Sequence, residues 1–100
     1  MIVRFLGTGT SQGVPVIACD CPVCHSVDFR DKRLRSSIWI QTQNQSIVID
    51  TGPDFRQQML RHRVRSLDAI IYTHEHKDHI GGLDDVRAFN FFQKRDMPLY

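Results

Sequence analysis

Several features are scarce in this sequence, and each scarcity excludes a class of protein. Three cysteines among 100 residues, crowded at positions 19, 21 and 24, do not suit the disulfide framework of a secreted domain. No apolar run approaches the length of a membrane span, and residues 1–5 lack the layout of a signal peptide. The net charge of +2 is too small to indicate a nucleic-acid-binding protein. These absences predict a cytoplasmic protein with no membrane partner.

What is present is the composition of an ordinary globular domain, with 41% hydrophobic and 24% charged residues. The length suits one small domain with a modest core. The hydrophobic pattern predicts an α/β fold. Strands are predicted at 2–6, 37–42, 46–50 and 68–72, with a hairpin joining the second and third, and helices at 54–61 and 81–93. The predicted buried side chains of the helices are Phe55, Met59, Leu60, Leu83, Val86, Phe89 and Phe92.

The densest chemistry lies in the segment Thr73-His74-Glu75-His76-Lys77-Asp78-His79, directly after the apolar run at 68–72. Imidazole and carboxylate groups bind borderline divalent metals such as zinc or manganese. If the strand pattern continues through Thr73, His74 and His76 point to the same side. Asp78 and His79 then fall where the chain turns into the next helix. These four side chains are candidate ligands for two adjacent metals.

Two other interpretations of this segment are weaker. Independent solvated loop histidines are possible, but so dense a cluster beside an apolar strand is hard to produce by accident. A zincin helix requires His-Glu-x-x-His, and the His74-Glu75 pair is followed by His76 and His79 instead. Gly81-Gly82 would also weaken a helix laid across the motif.

The order His74-x-His76-x-Asp78-His79 after an apolar strand resembles the signature of the metallo-β-lactamase fold hydrolases. Phe5-Leu6-Gly7-Thr8-Gly9-Thr10-Ser11 is similar to the opening strand and turn of that superfamily, and Ile47-Val48-Ile49-Asp50-Thr51-Gly52 to the strand whose terminal Asp supports the metal loop. Cys19-x-Cys21-x-x-Cys24 and Arg33-Leu34-Arg35-Ser36-Ser37 most resemble the phosphoribosyl cyclic phosphodiesterase (PhnP-like) branch.

This resemblance implies a four-layer α/β/β/α sandwich, of which residues 1–100 would be the N-terminal portion of a single metallo-hydrolase domain. It implies that His74 and His76 bind a first metal, and that Asp78 and His79 bind a second. Further ligands would come from sequence beyond Tyr100. Two zinc or manganese ions would hold an attacking hydroxide between them, and Asp78 would also orient it as the catalytic residue.

Asp50 stands at the end of a predicted strand next to the metal loop. We expect it to fix a histidine tautomer or the loop backbone. A helix N-cap or turn role before Gly52-Pro53 is nearly as well supported by the sequence. By their order along the chain, Arg33 and Arg35 are candidate phosphate-binding residues at the edge of the sheet.

Cys19, Cys21 and Cys24 place three thiolates within reach of one tetrahedral ion, which predicts a structural zinc. Free buried or redox-active thiols are the main alternative. His25 is adjacent, but its position beside Cys24 makes simultaneous ligation awkward. In the phosphodiesterases that the chain resembles, the fourth ligand is a distant His in the C-terminal half.

The leading functional hypothesis is therefore a di-metal phosphodiesterase acting on a small cyclic or diester phosphate. A ribonuclease Z-like nuclease is the alternative within the enzymes, and a non-catalytic metal-binding module is the alternative outside them. A small phosphodiester is the expected partner, nucleic acid is less favoured, and the oligomeric state is open, with a homodimer among the possibilities.

Overall fold

A computed structural model describes all of residues 1–100 and has a mixed α/β architecture. Its four strands form one sheet in the order β1-β2-β3-β4. The strands are β1 Ile2–Gly7, β2 Ser37–Gln41, β3 Ser46–Ile49 and β4 Ala69–Ile71; the α-helices are α1 Phe55–His62, α2 Lys77–Ile80 and α3 Arg87–Gln93. Short 3₁₀ turns lie at Phe29–Asp31 and Leu83–Val86. No helix has the length and apolar character needed to cross a membrane.

The directions of the strands decide where the loops gather. β1 and β2 are antiparallel, as are β2 and β3, which form the predicted hairpin. β4 pairs with β3 in parallel. β1, β3 and β4 therefore run in the same direction, and their carboxyl ends lie at one edge of the sheet. Ligand sites of α/β sheets commonly form at such an edge.

The two faces of the sheet have different surroundings. Trp39, Val48 and Ile70 point to one face and are buried in a single core cluster with Phe55 and Met59 of α1. On the other face, the aligned row Phe5, Ile38, Ile49 and Ile71 is apolar but only partly covered. The predicted fold class, a mixed sheet with covering helices, is confirmed, and the helices cover one face.

The helix predicted at 81–93 is wrong in its first half. The chain forms α2 before Gly81, then a 3₁₀ turn over Leu83–Val86, and only then α3. Because a 3₁₀ turn has three residues per turn and an α-helix 3.6, a single buried stripe cannot run through both. Val86 and Phe89 are buried as predicted, whereas Leu83 and Phe92 are exposed.

Leu60 also departs from its predicted buried position. It is exposed, and Gln58 on the same helix is buried instead. The Gln58 side chain donates to the backbone carbonyl of Arg35 across 2.9 Å. A tertiary hydrogen bond thus places a polar residue inside, which a hydrophobic pattern does not detect.

Gly82 and Gly52 let two backbone segments meet without intervening side chains. The Gly82 amide donates to the Thr51 carbonyl at 2.8 Å. A Cβ atom at Gly82 would overlap the Gly52 carbonyl, and a Cβ at Gly52 would overlap the carbonyl of Asp78. The glycines therefore fix the segment at 78–82 directly against the end of β3.

We expect Gly82→Ala to lower the free energy of unfolding by about 1–3 kcal/mol, the usual cost of forcing an extra carbon into a packed site. Urea denaturation followed by Trp39 fluorescence measures it. Gln57→Ala, on the exposed side of α1, is the surface control and should stay within about 0.5 kcal/mol of wild type. Equal stability of the Gly82 variant and wild type would contradict this packing.

Candidate metal centre

The histidine segment, here called the metal loop and defined as residues 73–79, leaves the carboxyl end of β4. His76 is the N-cap residue of α2, with extended backbone, and Asp78 lies in the first turn of that helix. His74 and His76 are exposed, whereas Asp78 and His79 are half-buried. The four predicted ligands thus come from a strand end and a helix start, as the sequence predicts.

The ligand atoms of the metal loop converge in two pairs. Nε2 of His74 lies 3.1 Å from Nδ1 of His76, and Nε2 of His79 lies 3.0 Å from Oδ2 of Asp78. The His74 and His79 rings lie side by side, with their centroids 4.0 Å apart. Two nitrogens in one pair and a nitrogen with a carboxylate oxygen in the other form a donor set that suits zinc or manganese.

Asp50 connects the end of β3 to this loop. Its carboxylate accepts hydrogen bonds from the Thr73 amide and the Thr73 hydroxyl, both at 2.8 Å, and lies 2.7 Å from Nδ1 of His79. An ionised carboxylate can only accept, so Nδ1 of His79 donates to Asp50; in the neutral ring this leaves Nε2, which faces Oδ2 of Asp78, as the nitrogen with the lone pair. This contact decides between the two roles that the sequence left open for Asp50.

Burial of Asp50 alone would raise its pKa, but the hydrogen bonds from Thr73 and His79 outweigh it, and the pKa lies below the ordinary carboxyl value. The carboxylate is therefore charged at neutral pH. Asp50 also has a left-handed backbone, with φ of 64°. Such conformations in a non-glycine residue concentrate at functional sites.

Three contributors to the loop's position escaped the sequence reasoning. Thr73 fills two of the Asp50 acceptor positions. The Thr51 amide donates to the His79 carbonyl at 2.8 Å, and the Thr51 hydroxyl lies 2.6 Å from the Tyr72 hydroxyl. Only Thr73 offered a signal in the sequence, because it is the first residue of the motif, whereas Thr51 and Tyr72 lie outside it.

The three cysteines also come together, as predicted. The sulfurs of Cys19, Cys21 and Cys24 all lie within 4.8 Å of one another, and no other group of three or more His, Cys, Asp or Glu ligand atoms does so. The Val16 amide donates to Sγ of Cys24 at 3.3 Å, and the Cys24 amide to Sγ of Cys21 at 3.4 Å. Such amide donors stabilise thiolates that bind a cation. The cysteines form no disulfide.

His25 takes no part in this cluster. Its Nε2 lies 3.1 Å from Oδ1 of Asp20, and both side chains are exposed. This arrangement agrees with the expectation that His25, directly next to Cys24, is poorly placed to bind the same ion. The fourth position around the three sulfurs is not filled by any side chain of residues 1–100.

The two predicted phosphate-binding arginines lie in different surroundings. Arg35 is held by Asp54 through an ion pair of 3.0 Å and by the Ser11 carbonyl at 2.7 Å. These contacts make Arg35 a brace between the Ser11 turn and the start of α1; its assignment as a phosphate ligand stays a prediction. The Arg33 side chain is exposed and forms no ion pair.

Solved structures of related proteins resemble this chain closely. A diphosphatase of the PhnP family is 51% identical and superposes on 98% of the chain with a TM-score of 0.93. Zinc-bound PqqB from Methylobacterium extorquens is 25% identical over 98% of the chain, with a TM-score of 0.79. The expected resemblance to the PhnP-like branch is therefore confirmed.

The chain spans 40% and 36% of the lengths of these two structures. A protein of Porphyromonas gingivalis named octanoyltransferase is 57% identical over 95% of this chain, which corresponds to 19% of that much longer protein. The family model described as the beta-lactamase superfamily domain matches residues 45–100, which include Asp50 and the whole metal loop. The chain belongs to the beta-lactamase superfamily.

Proposed function

We propose that the protein containing this chain is a metal-dependent hydrolase that cleaves a small phosphodiester or a related phosphate compound. The observation that carries the proposal is the pairing of four ligand atoms, His74 with His76 and Asp78 with His79, on a loop that Asp50 holds in place. The PhnP-family diphosphatase, at 51% identity, supports chemistry at phosphorus.

The residues of the metal loop take distinct roles in this proposal. His74 and His76 would hold one divalent ion, and Asp78 with His79 would hold the other. Ions bound there would supply Lewis acidity and activate water near neutral pH. Asp78 would also accept a hydrogen bond from the attacking water and orient it. Asp50 is a positioning residue, because it touches His79 rather than a reacting atom.

Zinc or manganese fits the nitrogen and oxygen donors of the loop, and the zinc-bound PqqB relative supports zinc. Octanoyl transfer is not proposed for this chain. The match covers 19% of the octanoyltransferase, and clustered imidazoles and carboxylates suit hydrolysis at a metal centre.

The cysteine cluster binds a separate structural zinc in this proposal. Three sulfurs within 4.8 Å of one another, two of them accepting backbone amides, match the requirements of a thiolate site that lacks one ligand. The zinc would brace residues 11–28, a long segment with neither helix nor strand.

Asp78→Ala should abolish phosphodiester hydrolysis, whereas Lys77→Ala, the adjacent exposed residue, should retain most of it. Loss of an orienting group alone costs about 10²–10⁴-fold, and loss of a metal ligand adds to this. The assay compares a chromogenic phosphodiester, a cyclic ribose phosphate and an RNA, with added zinc or manganese. Comparable rates for Asp78→Ala and wild type at saturating metal would exclude the mechanism, and preference for RNA would favour the nuclease.

Asp50→Asn should weaken active-site metal binding by about 10–100-fold, because the carboxylate no longer fixes the His79 tautomer. Asp68→Asn is the matched control. Asp68 also binds a backbone amide and an arginine and has a lowered pKa, mainly because of Arg95, but it precedes the opposite end of β4. Metal titration by calorimetry compares the two variants. Equal metal affinities of the two variants would show that the Asp50 contacts with Thr73 and His79 do not affect metal binding.

Cys21→Ser should remove one zinc ion per chain and lower thermal stability while leaving most of the hydrolytic activity. His25→Ala is the control, since His25 pairs with Asp20 and should keep the zinc. Elemental analysis of the purified variants, with thiol titration, measures both. A disulfide in freshly prepared wild-type protein, without bound zinc at the cysteines, would refute the zinc site.

A further inference from the structure

Two basic clusters that are separate in the sequence meet in the folded chain. Arg30, Lys32 and Arg33 from the loop before β2 line a cavity of about 240 Å³ together with Arg61 and His62 from the end of α1. The floor is the end of β1, at residues 5–8. We call this feature the basic cavity.

The charges of the basic cavity are poorly balanced by the protein. No Asp or Glu lines it. Arg30 pairs with Asp28 at 2.7 Å, and the Lys32 ammonium donates to the Ser26 carbonyl at 2.7 Å. Arg33 and Arg61 form neither an ion pair nor a side-chain hydrogen bond in the described chain. Two of the arginines that line the cavity thus keep the donors of their guanidinium groups free.

His62 lines the same cavity as these arginines, and its pKa is lowered. Burial is the main cause that lowers its pKa, and the nearby charges of Arg61 and Arg4 lower it further. A neutral imidazole can still donate one hydrogen bond without adding to the positive charge of the cavity. An anion in the cavity would offset the repulsion among the arginines more completely than the solvent that screens it.

The chemistry of the lining selects the class of anion. Guanidinium groups bind phosphate through paired, charge-assisted hydrogen bonds. The cavity is smaller than the roughly 300–1,000 Å³ of pockets for drug-sized ligands, so it suits a phosphate group with a small substituent. The Thr8 hydroxyl, at the end of β1, adds a neutral donor.

The basic cavity is separate from the metal loop but begins at the same edge of the sheet. A second cavity, of about 370 Å³, shares Phe5, Gly7 and Thr8 with it and extends to Asp50. We propose that the basic cavity binds the phosphate group of a small phosphorylated ligand, through Arg33 and Arg61. This proposal does not depend on the hydrolytic function, because no residue of the metal loop lines the cavity.

Calorimetric titration of a His76→Ala/Asp78→Ala background with inorganic phosphate and with pyrophosphate tests the proposal. This background lacks one ligand of each metal-loop ion, which prevents the anions from binding there, and keeps the three cysteines for zinc. Adding Arg33→Gln/Arg61→Gln to the background should weaken pyrophosphate binding at least about tenfold. The double variant Arg65→Gln/Arg87→Gln removes the same charge outside the cavity and should change the affinity by less than about twofold.

The single variant Arg61→Gln guards against misfolding, since its side chain is exposed on α1, and it should lose part of the affinity. Equal weakening by both double variants would mean that only the overall charge attracts the anion, and the proposal would fail. Absence of pyrophosphate binding to the His76→Ala/Asp78→Ala background at millimolar concentration would overturn it as well. Neither result touches the hydrolase proposal, which is tested by metal binding and turnover.

Discussion

The carboxylate of Asp50 is the contact on which the candidate metal centre depends. It accepts from the Thr73 amide, the Thr73 hydroxyl and the His79 ring at 2.7–2.8 Å, so the end of β3 holds both ends of the metal loop. Its burial makes these bonds strong, because water does not compete for the oxygens. The hydrogen bond to Nδ1 directs Nε2 of His79 toward Asp78. A single residue thus sets a tautomer, a ring orientation and a loop conformation.

The directions of the strands bring three segments together at one edge of the sheet. β1, β3 and β4 are parallel to one another, so the turn after β1, Asp50 and the metal loop lie side by side. Gly52 and Gly82 permit the close backbone contacts that seat residues 78–82 against the end of β3. The apolar core beneath, with Val48 and Ile70 fully buried, gives this edge a rigid base. The candidate functional side chains lie on loops, and the sheet beneath fixes the positions of those loops.

The segment between β1 and β2, residues 8–36, carries both the cysteine cluster and most of the basic cavity, although its only regular element is the 3₁₀ turn at Phe29–Asp31. Backbone hydrogen bonds between Val14 and Arg33, at 2.8 and 2.9 Å, tie the two halves of the loop together. Arg35 braces it to α1 through Asp54. The loop therefore presents its thiols in one place and its guanidinium groups in another, and the two sites use different chemistry.

The sequence by itself determined the strands, the hairpin, the metal loop and the cysteine triplet, because each is a local pattern of period or spacing. It also favoured Asp50 as a support for the loop. Only the tertiary structure decided that Asp50 binds Thr73 and His79, that Arg35 is a brace, that Gln58 is buried in place of Leu60, and that Arg33 meets Arg61. These outcomes depend on contacts between residues about twenty or more positions apart. A local sequence pattern does not indicate which distant residues will meet, because the directions of the strands and the packing of the backbone decide those contacts.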